Sequence, residues 1–379
     1  MPTACRSIHL RHFFGTCSRR VLLLAFLLLP VVAAVSAEGA SEDRWFKGTT
    51  HSHSFWSDGD QFPDMVVDWF KSRDYDFFSL TDHNRIMEGN RWVKLVRQRR
   101  PISEEVLQKY IDRFGADWVE VRGEGSEREV RLKTFQEIEK RFAEPGRFLL
   151  IQGEEITDRS KAPSSRCVHI NALNLVKLIR PQSGDSAIET MRRDIAAADE
   201  QARQMRRPIL THVNHPNFGG YSITARDLAE VPEVRFLEIC NNHNGVCHYG
   251  DKNHPSVERL WDLANTLRLI EKKVPPIYGV ASDDSHNYHT KSPSRAIPGR
   301  GWIVVRARRL ETRALLRAMA EGDFYSSTGV ELAELDYNPR RRTLHVEVVP
   351  KPDTHYTIEF IGTPADLTLP DDKALDKTA

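Results

Sequence analysis

The sequence follows one plan seven times: a short apolar run, then a burst of histidine, acidic or asparagine residues, and often a stretch with helical spacing. Short apolar runs bounded by polar residues are typical of buried strands. The first run leads into His51, and the other six begin at Phe77, Phe148, Cys167, Ile209, Phe236 and Ile277. This pattern constrains the chain to an α/β fold whose strands end in polar side chains.

Helical spacing recurs between several of these strands. It covers Pro63–Ser72, Ser186–Met205, Ser256–Glu271 and Glu311–Glu321. Strands that alternate with helices are expected to lie parallel and to be joined by right-handed crossovers. Because polar residues follow nearly every strand, we expect a closed, TIM-like α/β barrel of seven strands with its site on the carboxyl face. An open doubly wound sheet is the alternative, but it would concentrate the site at one switch point.

The predicted barrel covers residues 45–330 and follows a linker at 38–44. Residues from about 88 to 145 are too many for one crossover, and the spacing at Glu104–Arg113 and Phe135–Phe142 predicts a helical insertion. That insertion is either a lid over the site or a surface addition. After Gly329 the pattern changes to alternating β-rich segments, so residues 331–379 are expected to form a small antiparallel β unit.

Residues 1–37 have the features of a secretory signal peptide. Arginines precede the apolar run Val21–Val32, and the small residues at Val35–Ala37 offer a cleavage site. The run is short for a membrane span, and a single membrane anchor is the alternative. We therefore expect an exported protein, periplasmic or extracellular, with no membrane span after cleavage.

The charge balance gives no sign of a nucleic-acid partner. The 379-residue chain has a net charge of +1, and residues 1–37 contribute four arginines and no acidic residue, so the remaining chain is mildly acidic. No Gly-x-Gly-x-x-Gly motif, phosphate-binding loop or Gly-x-Ser-x-Gly elbow is present. These observations argue against nucleotide cofactors and a serine esterase and leave a small-molecule substrate.

A metal-ligand pattern begins at the end of the first strand. His51 and His53 are one residue apart, so their imidazoles project from the same face of a strand, and Asp58 on the following loop can fold back toward them. Similar clusters recur at Thr81–His83, Gly153–Thr157, His169, Asn214–Pro216 and Asp284–His286. Imidazoles together with carboxylates predict divalent zinc, manganese or iron without deciding among them.

Taken in order, these clusters resemble those of the polymerase-and-histidinol-phosphatase (PHP) metallohydrolases over roughly Lys47–His286. Ser57–Pro63, Asp82–Asn84, Pro298–Trp302 and Gly322–Gly329 resemble more closely the exported carbaryl-hydrolase branch of that family (CehA/McbA type). The resemblance implies a distorted (β/α)7 barrel and two or three divalent metal ions. The ligands it implies are His51, His53, Asp58, His83, Glu155, His169, His215, Asp284 and His286.

Two of these positions have a competitor in the sequence. Glu154 competes with Glu155, and the family motif, which places the acid directly before a β-branched residue, favours Glu155. His212 competes with His215, and we expect only one of them to point inward, with the Asn-His-Pro context favouring His215. Asp283, beside Asp284, is expected to support the ligands or to be exposed.

The predicted chemistry is hydrolysis by a hydroxide held between two cations about 3.5–4 Å apart. Asp284 and His286 are the candidate catalytic residues. A phosphoesterase is our first expectation, because the wider family and metal set favour it. An ester, amide or carbamate hydrolase is the alternative implied by the closer branch, and a non-catalytic secreted metal-binding module is a third reading.

Several further residues are candidates at the edge of the site. Asn241 and His243 end the sixth strand, and Arg295 and Arg300 follow the last ligands, so all four are candidates for substrate binding. Three cysteines remain after the predicted cleavage, among which a Cys240–Cys247 disulfide is one option. The sequence leaves the oligomeric state open.

Overall fold

The computed structural model describes residues 7–9, 43–96, 101–163, 165–364 and 366–367. The predicted signal peptide, apart from residues 7–9, and residues 38–42 of the predicted linker lie outside these residues. Within the described part of the chain, no helix is both long and apolar enough to cross a membrane.

The described chain is a mixed α/β protein. Its strands are β1 (Ser7–His9), β2 (Arg44–Thr49), β3 (Phe77–Leu80), β4 (Trp92–Lys94), β5 (Val121–Arg122), β6 (Glu129–Arg131), β7 (Leu149–Arg159), β8 (Cys167–Leu173), β9 (Leu210–Val213), β10 (Phe236–Asn241), β11 (Tyr278–Ser282), β12 (Trp302–Ala307), β13 (Phe324–Ser327), β14 (Leu332–Asn338), β15 (Thr343–Val348) and β16 (Thr357–Glu359). Its helices are α1 (Pro63–Lys71), α2 (Glu104–Phe114), α3 (Phe135–Phe142), α4 (Ala187–Met205), α5 (Phe218–Tyr221), α6 (Ala225–Ala229), α7 (Val257–Leu267) and α8 (Thr312–Glu321).

A nine-stranded sheet in the order β11-β10-β9-β8-β7-β3-β2-β12-β13 forms the centre of the molecule. The seven strands predicted from the sequence are all present, and β12 and β13 add two that the sequence analysis did not identify. The sheet curves into a nearly closed barrel, since Ser326 Oγ of β13 donates a hydrogen bond to the Gly279 carbonyl of β11 at 2.8 Å. At the carboxyl end, a parallel bridge joins Ser52 to Ser285, so the segments after β2 and β11 meet directly beside the site.

The expectation that the predicted strands are parallel is wrong for one of the seven, β8, and the additional strand β12 is antiparallel as well. β8 is antiparallel to both β7 and β9, and β12 is antiparallel to β2. β7 ends at Arg159 and β8 begins at Cys167, so the connection between them is too short for a helical crossover. The chain likewise passes from β11 to β12 through residues 283–301 without a helix.

The helices are positioned by capped ends and by apolar faces that pack on the outside of the barrel. Ser186 caps α4 and Ser256 caps α7, each through a side-chain oxygen that accepts a backbone hydrogen bond. An apolar cluster lies between these helices and the sheet and includes Met191, Leu260 and Ile170. This packing fixes which side chains of β7 and β8 face the helices and which face the barrel interior.

The insertion is a packed part of the molecule. It contains α2 and α3, as predicted, and also a three-stranded antiparallel sheet of β4, β6 and β5 that the sequence analysis missed. Tyr110 and Trp118 each donate a hydrogen bond to the buried carboxylate of Asp64 in α1, both at 2.6 Å. Tyr110 also stacks on Phe62 with ring centroids 4.1 Å apart. These contacts tie the insertion to the helix that follows the first histidine cluster.

The C-terminal segment contains the antiparallel hairpin β14–β15. The expectation of one antiparallel unit does not extend to β16, which pairs in parallel with β1 near the amino terminus.

Candidate metal centre

The structure brings together all nine side chains that the family resemblance implied as ligands. They lie at the carboxyl end of the barrel in four overlapping groups whose candidate ligand atoms are within 4.8 Å of one another. The groups are His53, Asp58, His83 and His286; His51, His53 and Asp284; His51, Glu155 and His215; and His83, Glu155 and His169. Because neighbouring groups share residues, the nine side chains form one continuous set, which we call the ligand ring. Its arrangement fits adjacent cations.

Strand alternation separates the two adjacent glutamates of β7. Glu155 faces the interior, where its Oε1 lies 3.1 Å from His169 Nδ1 and 3.2 Å from His215 Nε2. Glu154 faces the helices, where its Oε1 accepts a hydrogen bond from the Ile179 backbone at 2.6 Å. Glu154 is therefore directed away from the candidate ligands by the two-residue period of the strand.

Both His212 and His215 are buried, contrary to the expectation that only one would point inward. His212 lies opposite Asn171 in the register of β8 and β9, one layer below the candidate ligands. The strand ends at Val213, so the two-residue period no longer governs His215, which has a φ of 23°. This turn places the imidazole of His215 next to the carboxylate of Glu155. His212, by contrast, belongs to none of the four groups.

Four buried polar atoms point into the ring without a hydrogen-bond partner among the described residues. They are His51 Nε2, His53 Nε2, Glu155 Oε2 and Asp284 Oδ1. Two of them, His53 Nε2 and Asp284 Oδ1, face each other at 3.0 Å. Buried polar atoms normally have a partner. Their shared orientation, together with imidazole and carboxylate chemistry, fits divalent cations.

The charges around the ligand ring favour the ionised form of its carboxylates. Burial opposes ionisation of Glu155, but His83, His169 and His51 outweigh it and hold the pKa of this carboxyl well below its usual range. The pKa of Asp284 is likewise lowered, despite burial, mainly by His51 and His53. Burial, together with the nearby His286 and His83, lowers the pKa of His53 to about 3, so this imidazole is neutral and can donate a lone pair.

A buried carboxylate that the sequence analysis missed lies beneath the ring. Glu238, in the middle of β10, is fully buried and its Oε1 lies 2.6 Å from His51 Nδ1. It also accepts hydrogen bonds from Ser282 Oγ at 2.5 Å and from the His215 backbone at 3.0 Å. The signal in the sequence is one acidic residue inside the apolar run Phe236–Cys240.

Asp82 supports the loop that carries the first cluster. Its carboxylate accepts hydrogen bonds from the backbone and hydroxyl of Ser54, at 2.8 and 2.7 Å. It accepts two more from the backbone and hydroxyl of Ser57, at 3.0 and 2.5 Å. These bonds fix the turn that places Asp58 opposite His286, at 3.1 Å.

The candidate substrate residues separate into two sets. Asn241 Nδ2 donates to Asp284 Oδ2 at 3.2 Å, and the ring of His243 lies 5.0 Å from that of His286, so both border the ligand ring. Arg295 is exposed, and Arg300 donates to the Pro293 carbonyl at 3.1 Å. Neither arginine has a described contact with the ligand groups.

Two smaller expectations are settled by the contacts. Asp283 is buried, and its carboxylate accepts hydrogen bonds from the backbones of Gly299, Arg300 and Gly301. It therefore anchors the loop before β12. The cysteines at 240 and 247 are both free, so the disulfide option is wrong in this structure.

Comparison with known proteins adds little information about activity to that given by the geometry of the site. No protein-family profile and no curated protein matches the sequence. The chain is similar to a crystal structure of a two-domain protein from Bacteroides vulgatus containing a predicted PHP-like metal-dependent phosphoesterase, with 16% identity over 78% of this chain and 73% of that chain and a TM-score of 0.39. It is also similar to a predicted metal-dependent phosphoesterase from Bifidobacterium adolescentis, with 11% identity over 65% of this chain and 89% of that chain and a TM-score of 0.35. At these low scores, conclusions about activity depend on the site itself.

Proposed function

We propose that this protein is a metal-dependent phosphoesterase that acts on a small-molecule substrate. The observation that carries the proposal is the overlap of the four ligand groups, in which Glu155 and three histidines each belong to two groups. Shared ligands hold cations close together, and closely spaced cations stabilise both the attacking and the leaving oxygen of a phosphoryl group. We propose two or three divalent ions of zinc, manganese or iron.

Bound cations would supply Lewis-acid activation of the phosphoryl group and of a water molecule. The chain's own residues hold the ligands in place for this chemistry. His286 Nδ1 lies 2.8 Å from the Asp284 carbonyl, which can only accept, so Nδ1 carries a proton. The ligand or base position of the neutral ring is therefore Nε2, which faces Asp58 Oδ1 at 3.1 Å. We propose Asp284 and His286 as the groups that handle protons near the reacting atoms.

His243 is suited to donate a hydrogen bond to a substrate oxygen. Its Nδ1 accepts a hydrogen bond from the Gly245 backbone at 3.0 Å, so the proton of the neutral ring is on Nε2. Burial, with a further contribution from His286, lowers the pKa of His243 to about 4, so the ring is neutral at physiological pH. We propose that His243 and Asn241 orient the substrate.

A carboxylic ester or carbamate is the second candidate substrate class. The half-buried ring of Phe218 favours this class. Its centroid lies 5.6 Å from that of the His169 ring and 5.0 Å from that of the His215 ring, so it offers an apolar surface to a leaving group. Acyl transfer needs stabilisation of one oxyanion, whereas phosphoryl transfer uses several cations. The extended ring of ligands is therefore the reason that we place phosphoesters first.

A substrate panel tests the proposal. The metal-loaded protein is assayed on aryl phosphomonoesters, phosphodiesters, aryl esters and aryl carbamates, with His53→Ala as the inactive control and metal content measured in parallel. We expect turnover of at least one phosphoester class and its loss in His53→Ala. Turnover of only esters or carbamates would assign the second candidate, and metal binding without turnover would assign a non-catalytic metal-binding module.

We also propose that the chain is exported, on the basis of the arginine-bearing, apolar amino terminus. Expression of the full chain followed by cell fractionation and amino-terminal sequencing tests this. A mature protein that begins near residue 38 in the periplasm or medium is expected, whereas an uncleaved cytosolic chain would refute it.

A further inference from the structure

Above the ligand ring, β7 and β8 carry one more layer of inward-facing side chains. In their antiparallel register, Thr157 lies opposite His169, and Arg159 lies opposite Cys167 at the carboxyl rim. Val168, between them on β8, packs in the apolar cluster under α4. Since residues two apart on a strand share a face, Arg159 extends the wall of the site about 7 Å beyond His169.

The guanidinium of Arg159 is held by Cys167, its partner across the β7–β8 hairpin. Its Nη1 donates to Cys167 Sγ at 2.8 Å. Cys167 Sγ lies against Gly219, where an added Cβ would approach it to 2.7 Å. The preceding residue is Phe218, whose ring packs against His169 and His215. Cys167, which holds Arg159, therefore lies against the segment that carries Phe218.

The positive charge of Arg159 is not neutralised by a carboxylate in the described part of the chain. Arg166, on the same hairpin, forms an ion pair with Asp227 at 2.8 Å, but Arg159 forms none with a carboxylate of the described residues. Its other hydrogen bonds go to the hydroxyl and carbonyl of Ser165, at 3.1 and 3.5 Å. A guanidinium has five N–H donors, so two remain available. The side chain is exposed, and such a fork is suited to binding an oxyanion.

We propose that Arg159 binds a second anionic group of the substrate, a carboxylate or a phosphate, about 7 Å from the phosphate at the ligand ring. The inference rests on the proposed phosphoesterase function and adds the substrate class. That class is phosphomonoesters whose leaving group carries a distal oxyanion, and Phe218 provides an apolar surface for a flat linker between the two anions.

The test compares three aryl phosphates of the same shape: 4-carbamoylphenyl phosphate, 4-carboxyphenyl phosphate and 1,4-phenylene bisphosphate. The first is neutral at the distal position, and the other two place a carboxylate or a phosphate there. One of the two anionic substrates is expected to be turned over better than the other by the unmodified chain. For that substrate, we expect Arg159→Gln to lower kcat/KM by about 10- to 100-fold, which is the loss that follows from removing a charge-assisted hydrogen bond. The carbamoyl substrate should change less than about twofold on the same scale.

Two variants separate charge from structure. Arg159→Lys keeps the positive charge and is expected to retain part of the preference. Arg147→Gln makes the same charge change just before β7, at the opposite end of that strand, where Arg147 is largely exposed. It should leave all three substrates unaffected. An equal loss on all three substrates with Arg159→Gln would assign a merely structural role and overturn the inference, as would no loss on either anionic substrate.

Binding gives a second readout that does not need turnover. Calorimetry of the metal-loaded protein with (4-carboxybenzyl)phosphonate and with benzylphosphonate should show tighter binding of the carboxylate in the unmodified chain, and no difference in Arg159→Gln. Equal Kd values for both ligands in the unmodified chain would overturn the second-anion site. Failure to hydrolyse any of the three phosphates, with the carboxylate preference in binding intact, would instead overturn the phosphoesterase proposal and leave the anion site.

Discussion

The carboxylate of Glu238 holds the Nδ1 of His51 at 2.6 Å, deep beneath the candidate metal centre. The pKa of Glu238 is lowered to about 2, because His51 and its other histidine neighbours outweigh the effect of burial. An ionised carboxylate can only accept a hydrogen bond, so Nδ1 carries a proton, and in the neutral ring that would bind a metal the lone pair lies on Nε2. This Nε2 faces Asp284 Oδ1 at 3.3 Å and is directed into the ligand ring. Glu238 therefore sets both the tautomer and the orientation of a candidate ligand.

Glu238→Gln should weaken metal binding by about 10- to 100-fold, as is typical when the partner of a ligating histidine is lost. The amide retains the volume of the carboxylate but no longer fixes the proton on Nδ1. The measurement is competitive titration of zinc or manganese with a coloured chelator. Circular dichroism controls for folding, and an affinity equal to that of the unmodified chain would show that Glu238 has no such role.

The two glutamates of β7 give a second prediction. Glu155→Gln removes an ionised carboxylate that lies within 3.6 Å of five histidines and should abolish turnover and reduce bound metal. Glu154→Gln is the matched control, since burial and the nearby Asp194 raise the pKa of Glu154 to about 8, so this side chain is already neutral at pH 7. We expect Glu154→Gln to retain activity within about threefold, in line with a conservative change outside the site. The reverse result would exchange the two assignments.

Metal removal should destabilise the fold. Without cations, the buried atoms that face one another at the ring, among them His53 Nε2 and Asp284 Oδ1, have no other partner among the described residues. At a free-ion concentration 100 times Kd, binding contributes about 2.7 kcal/mol. Chelation should therefore lower Tm by several degrees, and added zinc or manganese should restore it. His53→Ala should show a smaller chelator effect, and a Tm insensitive to chelation in the unmodified chain would contradict a structural contribution from metal.

Much of the barrel could be predicted from the sequence because its signals are local. A short apolar run followed at once by His51 and His53, or by Asp82 and His83, specifies both a strand and its polar end. The two-residue period then separates Glu155 from Glu154 once the strand direction is known. These are the positions at which local pattern and tertiary structure agree.

The remainder depended on information that local patterns do not contain. The only sequence signal for the reversal of β8 is the short connection between Arg159 and Cys167. Arg159 became a candidate only through its register with Cys167, across that hairpin. Glu238 contacts His51 across 187 residues of sequence, and no spacing rule connects them. Long-range pairings of this kind require the fold before the site can be completed.

A buried carboxyl on the outer side of the barrel gives a prediction about pH. Asp194 in α4 is fully buried, and its Oδ1 accepts a hydrogen bond from the Gln182 backbone at 3.0 Å. Burial, and after it the carboxylate of Asp158, raises the pKa of Asp194 to about 8. The unfolded value is about 3.9. The folded state therefore binds the proton more tightly, so this group's contribution to stability is fully present below pH 4 and is lost as the pH rises toward 8.

Asp194→Asn is neutral at every pH and should remove this dependence. The free energy of unfolding of the variant, relative to the unmodified chain, should rise between pH 5 and pH 8 by up to about 1.4 kcal/mol per pH unit. Urea unfolding at each pH measures the difference, in which the other titrating groups cancel. Asp185→Asn is the control, because Asp185 is exposed and Lys161 lowers its pKa. A stability difference between Asp194→Asn and the unmodified chain that stays constant with pH would mean that Asp194 is ionised in the folded protein.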